Sequence, residues 1–218
     1  MQPILDRAAF IRANTSVLAP PLVPEVRLHL AHEAVPLWMK TEEELGEIGL
    51  PPPFWAFAWA GGQALARYIL DTPQVVKNLR VLDLASGSGL VAIAAAKAGA
   101  AEVFAADIDA FAVTSIGLNA KLNGVKLTVT GDDPLAKSAD DFAVILVGDL
   151  FYEKSIAARA HEWLMEAQSR GTHVLIGDPG RSYLPKDDLE KVAEYNVPVT
   201  RDLEDAEIKR TAVWALKS

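Results

Sequence analysis

The sequence of 218 residues contains no cysteine. Disulfide bonds, thiolate metal sites and cysteine nucleophiles are therefore excluded. No apolar run reaches the roughly 18 residues that span a bilayer, and no serine lies in a nucleophile elbow. The four histidines form no convincing ligand set. We therefore expect no metal, no membrane segment and no serine hydrolase.

Basic residues are also scarce relative to acidic ones, at 21 against 29, which gives a net charge of −8. Such a chain is poorly suited to binding nucleic acid or an anionic membrane, so we expect neither partner. The excess of acidic residues is concentrated in residues 81–150, which hold four basic and nine acidic residues. An acidic segment of this kind attracts cationic ligands.

Half of the residues are hydrophobic, which is enough for a sizeable core. From residue 79 onward, short apolar runs alternate with stretches of helical length, a pattern typical of a parallel sheet covered on both faces. We predict an α/β fold with a doubly wound, mostly parallel, seven-stranded Rossmann-like sheet. The predicted strands are 80–84, 103–106, 127–130, 143–147, 173–176, 197–200 and 211–216, and the helices are 90–98, 110–122, 153–170 and 186–195.

Residues 1–78 lack this alternation, and we predict that they form an N-terminal extension and the first helix. The expected elements are a helix at 3–14, an extended proline-rich linker at 20–24, a strand at 26–31 and a helix at 62–70. Neither a domain boundary nor an internal repeat is visible. We therefore predict a single domain over 1–218, with the seven-stranded core at 79–218.

The segment 81–90 predicts a strand, a tight turn of small residues and the start of a helix. Gly87 and Gly89 allow a ligand to approach the backbone, and the free amides of the helix favour polar groups. Asp107 ends the next strand, where a carboxylate can bind ribose hydroxyls. The pattern predicts a nucleoside-containing cofactor. Gly87-x-Gly89-x-x-Ala92 also satisfies the dinucleotide fingerprint, so an NAD-dependent oxidoreductase is an alternative, although no room remains for a separate substrate domain.

A second group of candidates follows the later strands. Asp149, with Phe151 and Tyr152 after it, comes directly after the strand 143–147, and the ligands of an open parallel sheet bind at such an edge. Alternatively, Asp149 caps the next helix and the two aromatic residues fill the core. Arg181 follows the strand 173–176 on the same edge, where it either contacts acidic groups of a substrate or serves only in a turn.

These motifs resemble those of a known family. Asp83-x-Ala85-x-Gly87-x-Gly89 is similar to the acid-x-Gly-x-Gly-x-Gly motif of class I S-adenosylmethionine-dependent methyltransferases, with alanine in place of the first glycine. Asp149-x-x-Tyr152 resembles the (Asp/Glu)-x-x-(Phe/Tyr) motif of seven-β-strand protein-lysine methyltransferases. Together with the aromatic stretch 54–66 and the segment 178–181, these motifs make the chain from about residue 26 onward most similar to electron transfer flavoprotein β-subunit lysine methyltransferases.

The resemblance implies methyl transfer from S-adenosylmethionine to lysine of a protein substrate, the electron transfer flavoprotein β subunit, with Asp149 and Tyr152 as catalytic residues. Asp149 would orient the lysine first and act as a base second, because a carboxylate is a weaker base than an amine. Phe151 and Arg181 would contact the substrate. The expected cofactor-binding residues are Trp59, Asp83, Ala85, Gly87, Gly89, Asp107, Leu150 and either Asp132 or its neighbour Asp133, with turn formation as the alternative for these last two.

Other functions remain open at this point. A ribosomal-protein or small-molecule methyltransferase is the nearest alternative, and a cofactor-binding module without catalysis is another. Enzymes that methylate exocyclic base amines resemble one another in an (Asn/Asp)-Pro-Pro-(Tyr/Phe) motif at this strand end. Leu150 and Phe151 stand where those prolines would be, so a base methyltransferase is disfavoured. We expect a monomer in the cytoplasm, or in the mitochondrial matrix if the source is eukaryotic, although the N-terminus is not a clear transit peptide.

Overall fold

The computed structural model describes residues 6–32, 36–37, 39–41, 52–138, 142–199 and 207–217. Its strands, numbered in chain order, are β1 (Ser16–Leu18), β2 (Leu28–Leu30), β3 (Arg80–Leu84), β4 (Glu102–Ala106), β5 (Thr128–Thr130), β6 (Val144–Gly148), β7 (His173–Asp178), β8 (Leu189–Pro198) and β9 (Ile208–Leu216). The last seven form one sheet in the order β5-β4-β3-β6-β7-β9-β8. The first five strands in this order are parallel, and β9 pairs antiparallel with both neighbours.

Within the described ranges, five helices with defined bounds accompany the strands: α1 (Arg7–Asn14), α2 (Ala60–Asp71), α3 (Leu90–Lys97), α4 (Ala110–Leu122) and α5 (Lys154–Ser169). Helices α2 and α3 pack on one face of the sheet and α5 packs on the other. None of the helices in the described ranges is long and apolar enough to cross a membrane.

The two faces of the sheet are filled by alternate residues of the same strands. In β6, Leu146 points into the cluster that contains α2 and α3, whereas Ile145 and Val147 point into the cluster around α5. Because successive side chains of a strand point to opposite faces, a strand covered on both sides must be apolar throughout. This requirement explains the uninterrupted apolar runs in the sequence.

The chain order of the strands locates a crevice. From β3 the chain proceeds outward to β4 and β5, then returns to place β6 on the other side of β3. The helices that follow β3 and β6 therefore lie on opposite faces, which opens a space beyond the carboxyl ends of these two strands. The turn after β3 and the acid after β6 meet at this space.

The predicted fold class is confirmed, but a helix was predicted where the chain forms a strand. Residues 186–195 were expected to form a helix, but Leu189–Pro198 is strand β8, paired with β9 along its length. The strand includes Val192, Tyr195 and Val197, which favour an extended backbone. The pairing shifts register between Lys191 and Ala193, and this irregularity obscures the two-residue period in the sequence.

The N-terminal extension packs against α4. Helix α1 lies within the predicted range 3–14, whose first residues are outside the described part of the chain. Strand β2 lies within the predicted range 26–31 and pairs antiparallel with β1, which was not predicted. The proline-rich segment 20–24 is not an extended linker, because the Val23 amide donates to the Pro20 carbonyl and the chain turns.

Asn119 of α4 joins the extension to the turn after β3. Its side chain is fully buried. The amide nitrogen donates to the Ser88 carbonyl at 2.8 Å, and the amide oxygen accepts from the His29 amide of β2 at 2.8 Å. One side chain thus satisfies two backbone groups that are distant in sequence.

Replacing Asn119→Ala is expected to lower the free energy of unfolding by about 2–3 kcal/mol, because the two backbone groups lose their partner out of reach of water. Asn123→Ala is the matched control, since the Asn123 side chain binds the Arg27 amide and carbonyl in the same manner at a more exposed position. Urea denaturation measures both variants. Equal losses would show that burial of Asn119 is not the cause.

Candidate active site

The crevice contains a cavity of about 570 Å³, within the usual range for a small-molecule site. Nine of the residues proposed from the sequence, counting both catalytic candidates, line this cavity. They are Trp59, Ala85, Gly87, Asp107, Asp133, Asp149, Leu150, Tyr152 and Arg181. Other lining residues include Phe54, Ile108, Asp109 and Arg159.

The turn after β3 has a left-handed backbone at two lining positions. Ala85 and Gly87 both have φ of +54°. A side chain at Gly87 would meet nothing within 4 Å, so the Gly87 backbone faces open space. Glycine adopts this conformation without strain, whereas alanine does so at a cost.

Asp83 supports the turn from below. Its side chain is almost fully buried, and one oxygen accepts from the Ser86 hydroxyl at 2.5 Å and from the Ala92 amide at 3.0 Å. Burial raises the pKa of Asp83 to about 7, against the opposing effect of these hydrogen bonds. Asp83 does not line the cavity, so the structure gives it a supporting position rather than the direct cofactor contact that we expected.

Asp107 stands at the end of β4, next to the turn. Its carboxylate accepts from the Gly87 amide at 2.8 Å and from the Asp109 amide at 3.0 Å. Burial raises the pKa of Asp107, and the backbone hydrogen bonds oppose this shift. The neighbouring Ile108 is 73% exposed, which places an apolar surface beside the carboxylate.

Asp149 is held by backbone and side-chain contacts on several sides. Its own φ is +54°, a left-handed conformation that is uncommon outside glycine and recurs at functional sites. Oδ2 accepts from the Gly62 amide at 3.0 Å, and Oδ1 accepts from Nη2 and Nε of Arg181 at 2.7 and 3.2 Å. Burial raises the pKa of Asp149 to about 6, although the Arg181 guanidinium opposes the shift.

Arg181 also lies over an aromatic ring. Its guanidinium carbon is 5.8 Å from the centre of the Trp59 ring, within range of a cation–π contact. The Trp59 indole nitrogen donates to the Phe54 carbonyl at 2.9 Å, which fixes the ring. We expected Arg181 to face acidic groups of a substrate, but the structure pairs its guanidinium with Asp149.

The first turn of α2 approaches the strand ends very closely. A side chain at Gly61 would lie 2.2 Å from the Gly177 carbonyl oxygen and 2.5 Å from Oδ2 of Asp149. Only glycine fits at such distances. This approach brings the Gly62 amide to Asp149, a contact that the sequence argument missed even though the aromatic stretch before α2 pointed to this helix.

The remaining candidates occupy different surroundings. Tyr152 is 48% exposed and contacts the Phe54 ring at 5.4 Å between centroids, so it stands at the mouth of the cavity. Phe151 is fully buried in the core around α5, which corrects its expected contact with substrate. Asp132 is turned outward to Lys137, and Asp133 lines the cavity instead. Gly89 packs against Ile116 and does not line the cavity.

Comparison with known proteins gives a consistent assignment. The chain is 37% identical to the electron transfer flavoprotein beta subunit lysine methyltransferase of Xenopus laevis over 96% of its length and 86% of that protein. The corresponding protein of Mus musculus is 38% identical, over 94% of this chain and 82% of its own length. The chain belongs to the electron transfer flavoprotein β-subunit lysine methyltransferase family.

Two further comparisons concern the fold and the cofactor region. Residues 63–148 match the family model described as ribosomal protein L11 methyltransferase. The crystal structure of magnesium protoporphyrin IX methyltransferase from Synechocystis PCC 6803 with bound S-adenosylmethionine superposes with a TM-score of 0.52 at 16% identity. It covers 72% of this chain and 80% of its own, which shows the shared methyltransferase fold.

The cavity fits the cofactor of this methyltransferase family. The open Gly87 backbone and the Asp107 carboxylate provide polar groups for a ribose, and Ile108 provides an apolar surface for a flat base. Asp149 and Trp59 also line the cavity, and a carboxylate and an indole ring both suit a positively charged group. In the described ranges, no group of three or more His, Asp and Glu side chains is arranged to hold a metal ion.

Ala85→Gly is expected to raise the free energy of unfolding by about 0.5–1 kcal/mol, because glycine removes the strain of the left-handed backbone. Ala95→Gly, in the middle of α3, is the control and is expected to lower it by about 1 kcal/mol or more. Thermal unfolding compares the two variants. A destabilised Ala85→Gly protein would contradict the account of the turn.

The raised pKa of Asp83 predicts a pH dependence of stability. Between pH 4 and 7 the folded protein holds a proton that the unfolded chain has lost, so stability falls as the pH rises through this range. One such group changes the free energy of unfolding by at most about 1.4 kcal/mol per pH unit. Asp83→Asn is expected to flatten the dependence and to be more stable than wild type at pH 8, as measured by urea denaturation. An unchanged slope would contradict the assignment.

Proposed function

We propose that this protein methylates lysine on the β subunit of electron transfer flavoprotein, with S-adenosylmethionine as methyl donor. The observation that carries the proposal is the buried Asp149 carboxylate, held by the Gly62 amide and Arg181 at the edge of the cavity that suits the cofactor. Relatives that match nearly the whole chain bear the name of this activity.

The donor supplies an electrophilic methyl group, so that an N–C bond forms as the S–C bond breaks and leaves a thioether. The chain itself must bring a lysine nitrogen into line and allow its proton to leave. Asp149 can accept a hydrogen bond from the amine and orient its lone pair. Its pKa of about 6 is closer to that of an amine than the pKa of an ordinary aspartate is, which narrows the gap for proton transfer.

Aromatic side chains at the cavity mouth can receive the side chain of a lysine. Phe54, Trp59 and Tyr152 form a connected set of ring contacts, with centroid separations of 5.8 and 5.4 Å. Rings placed in this way can pack against a lysine stem and stabilise its ammonium. Burial raises the pKa of Tyr152, so its hydroxyl stays protonated at neutral pH.

The match to the ribosomal protein L11 methyltransferase model ends at residue 148. It therefore covers the turn after β3 and Asp107 but stops before Asp149, Tyr152 and Arg181. The shared segment supports a shared cofactor rather than a shared substrate.

The proposal also covers the substrate class, the oligomeric state and the location of the enzyme. We propose a monomer that acts on protein rather than nucleic acid, and the net charge of −8 supports the choice of protein. We place the enzyme in the cytoplasm or in the matrix of a mitochondrion.

Incubation with labelled S-adenosylmethionine and the purified flavoprotein β subunit tests the proposal, with the modified residue located by mass spectrometry. Label on lysine of this subunit is the expected result. A parallel incubation with a whole-cell lysate identifies other acceptors. Label that appears only on RNA, on a metabolite or on a ribosomal protein would refute the proposed substrate.

Asp149→Asn is expected to lower kcat/KM for the protein substrate about 10²–10³-fold, because the amine loses its charged acceptor. Binding of S-adenosylhomocysteine, measured by calorimetry, should change little, since the turn and Asp107 are intact. Glu102→Gln, at the opposite end of the sheet where β4 begins, is the control and should keep the wild-type rate. Full activity of Asp149→Asn would remove Asp149 from the mechanism.

A further inference from the structure

A second buried acid lies beside Asp149. Strands β6 and β7 are parallel, and Gly148 pairs with Gly177 in their register, so Asp149 and Asp178 occupy equivalent positions at adjacent strand ends. Asp178 is 1% exposed and Asp149 is 8% exposed. The charge of Asp178 raises the pKa of Asp149, as expected for two buried carboxyl groups at adjacent strand ends.

One oxygen of Asp178 fixes the turn that carries Arg181. Oδ1 accepts from the Gly180 amide at 2.6 Å and from the Arg181 amide at 2.7 Å. The Arg181 side chain then returns to Oδ1 of Asp149. Asp178 therefore sets the position of Arg181, and Arg181 in turn sets the position of Asp149.

The other oxygen of Asp178, Oδ2, is buried and makes no hydrogen bond to any residue that the structure describes. Burying a polar oxygen without a partner is costly, and such groups in native proteins call for an explanation. The hydrogen bonds of Oδ1 account for the turn but not for a second, unpaired oxygen.

The buried charges at this edge do not balance. The Arg181 guanidinium binds Asp149, and the first turn of α2, which contains no charged side chain, adds a partial positive charge. Arg181 and Lys186 both lower the pKa of Asp178, but Lys186 is exposed to solvent, which screens its charge. Farther along, Glu153 and Asp107 act on Tyr152. Asp178 does not itself line the cavity, so its charge would act on a bound lysine from behind Asp149.

We propose that Asp178 is a positioning residue of the methyl-transfer site and that its charge makes this site select a cationic side chain. The inference rests on the proposed lysine methylation. Asp149 and Arg181 form a neutral ion pair, so the charge of Asp178 leaves a net negative charge that attracts the ammonium. The same charge makes the ammonium proton harder to remove, so it favours binding at the expense of reactivity at low pH.

Asp178→Asn removes the negative charge but can preserve the turn, because an amide oxygen can still accept hydrogen bonds from the Gly180 and Arg181 amides. The KM for the protein substrate is expected to rise about tenfold. The acid limb of the kcat–pH profile is expected to move to lower pH by about one unit, because loss of a neighbouring negative charge lowers the pKa of the bound lysine. A merely structural defect would not shift this limb in that direction.

Two further variants complete the design. Asp178→Glu retains the charge and should restore the wild-type acid limb even if KM stays high. Asp187→Asn removes an equivalent charge from an exposed position a few residues onward and should match wild type in both measurements. Calorimetry with S-adenosylhomocysteine is the control for the cofactor site, and each variant is expected to bind this ligand as wild type does.

The inference is overturned if Asp178→Asn retains the wild-type KM and pH profile, or if Asp178→Glu shifts the acid limb as far as Asp178→Asn does. Failure of the wild-type protein to methylate any lysine is a different result. It would reject the proposed function itself, and the role of Asp178 with it.

Discussion

The close approach of α2 to the ends of β6 and β7 is the constraint on which the rest of the site depends. At Gly61 and Gly177, backbone meets backbone at distances that exclude any side chain. This contact places the Gly62 amide against Asp149, and it places Trp59, the residue before α2, beside Arg181. The positions of Asp149, Arg181 and Trp59 therefore depend on one packing contact between a helix end and a sheet edge.

Two halves of the cavity are built in different ways. The half after β3 uses backbone: a left-handed turn, supported by buried Asp83 and tied to Asp107 through the Gly87 amide. The half after β6 and β7 uses charge, because the Arg181 guanidinium binds Asp149 while Asp178 holds the Arg181 backbone amide. The first arrangement suits a cofactor shared by many enzymes. The second arrangement is the one that we propose receives the substrate, and it lies outside the segment that matches the ribosomal-protein family.

The parallel strands and the helices between them could be predicted because burial on both faces leaves a plain apolar pattern in the sequence. The turn after β3 and Asp107 could be placed because they are local to these strands. The pairing of Arg181 with Asp149 could not, since it depends on the register of β6 against β7, which no local pattern records. Strand β8 was missed for a similar reason, because its partner β9 and the irregularity at Lys191 define it.

We propose that the Asp149 carboxylate receives the lysine of a protein substrate. A crystal structure of the enzyme with S-adenosylhomocysteine and the flavoprotein β subunit is the decisive test. We expect a lysine Nζ within about 3.2 Å of an Asp149 carboxylate oxygen, with the lysine stem along Trp59 and Tyr152. A lysine bound elsewhere, with Asp149 still contacted only by Gly62 and Arg181, would contradict it.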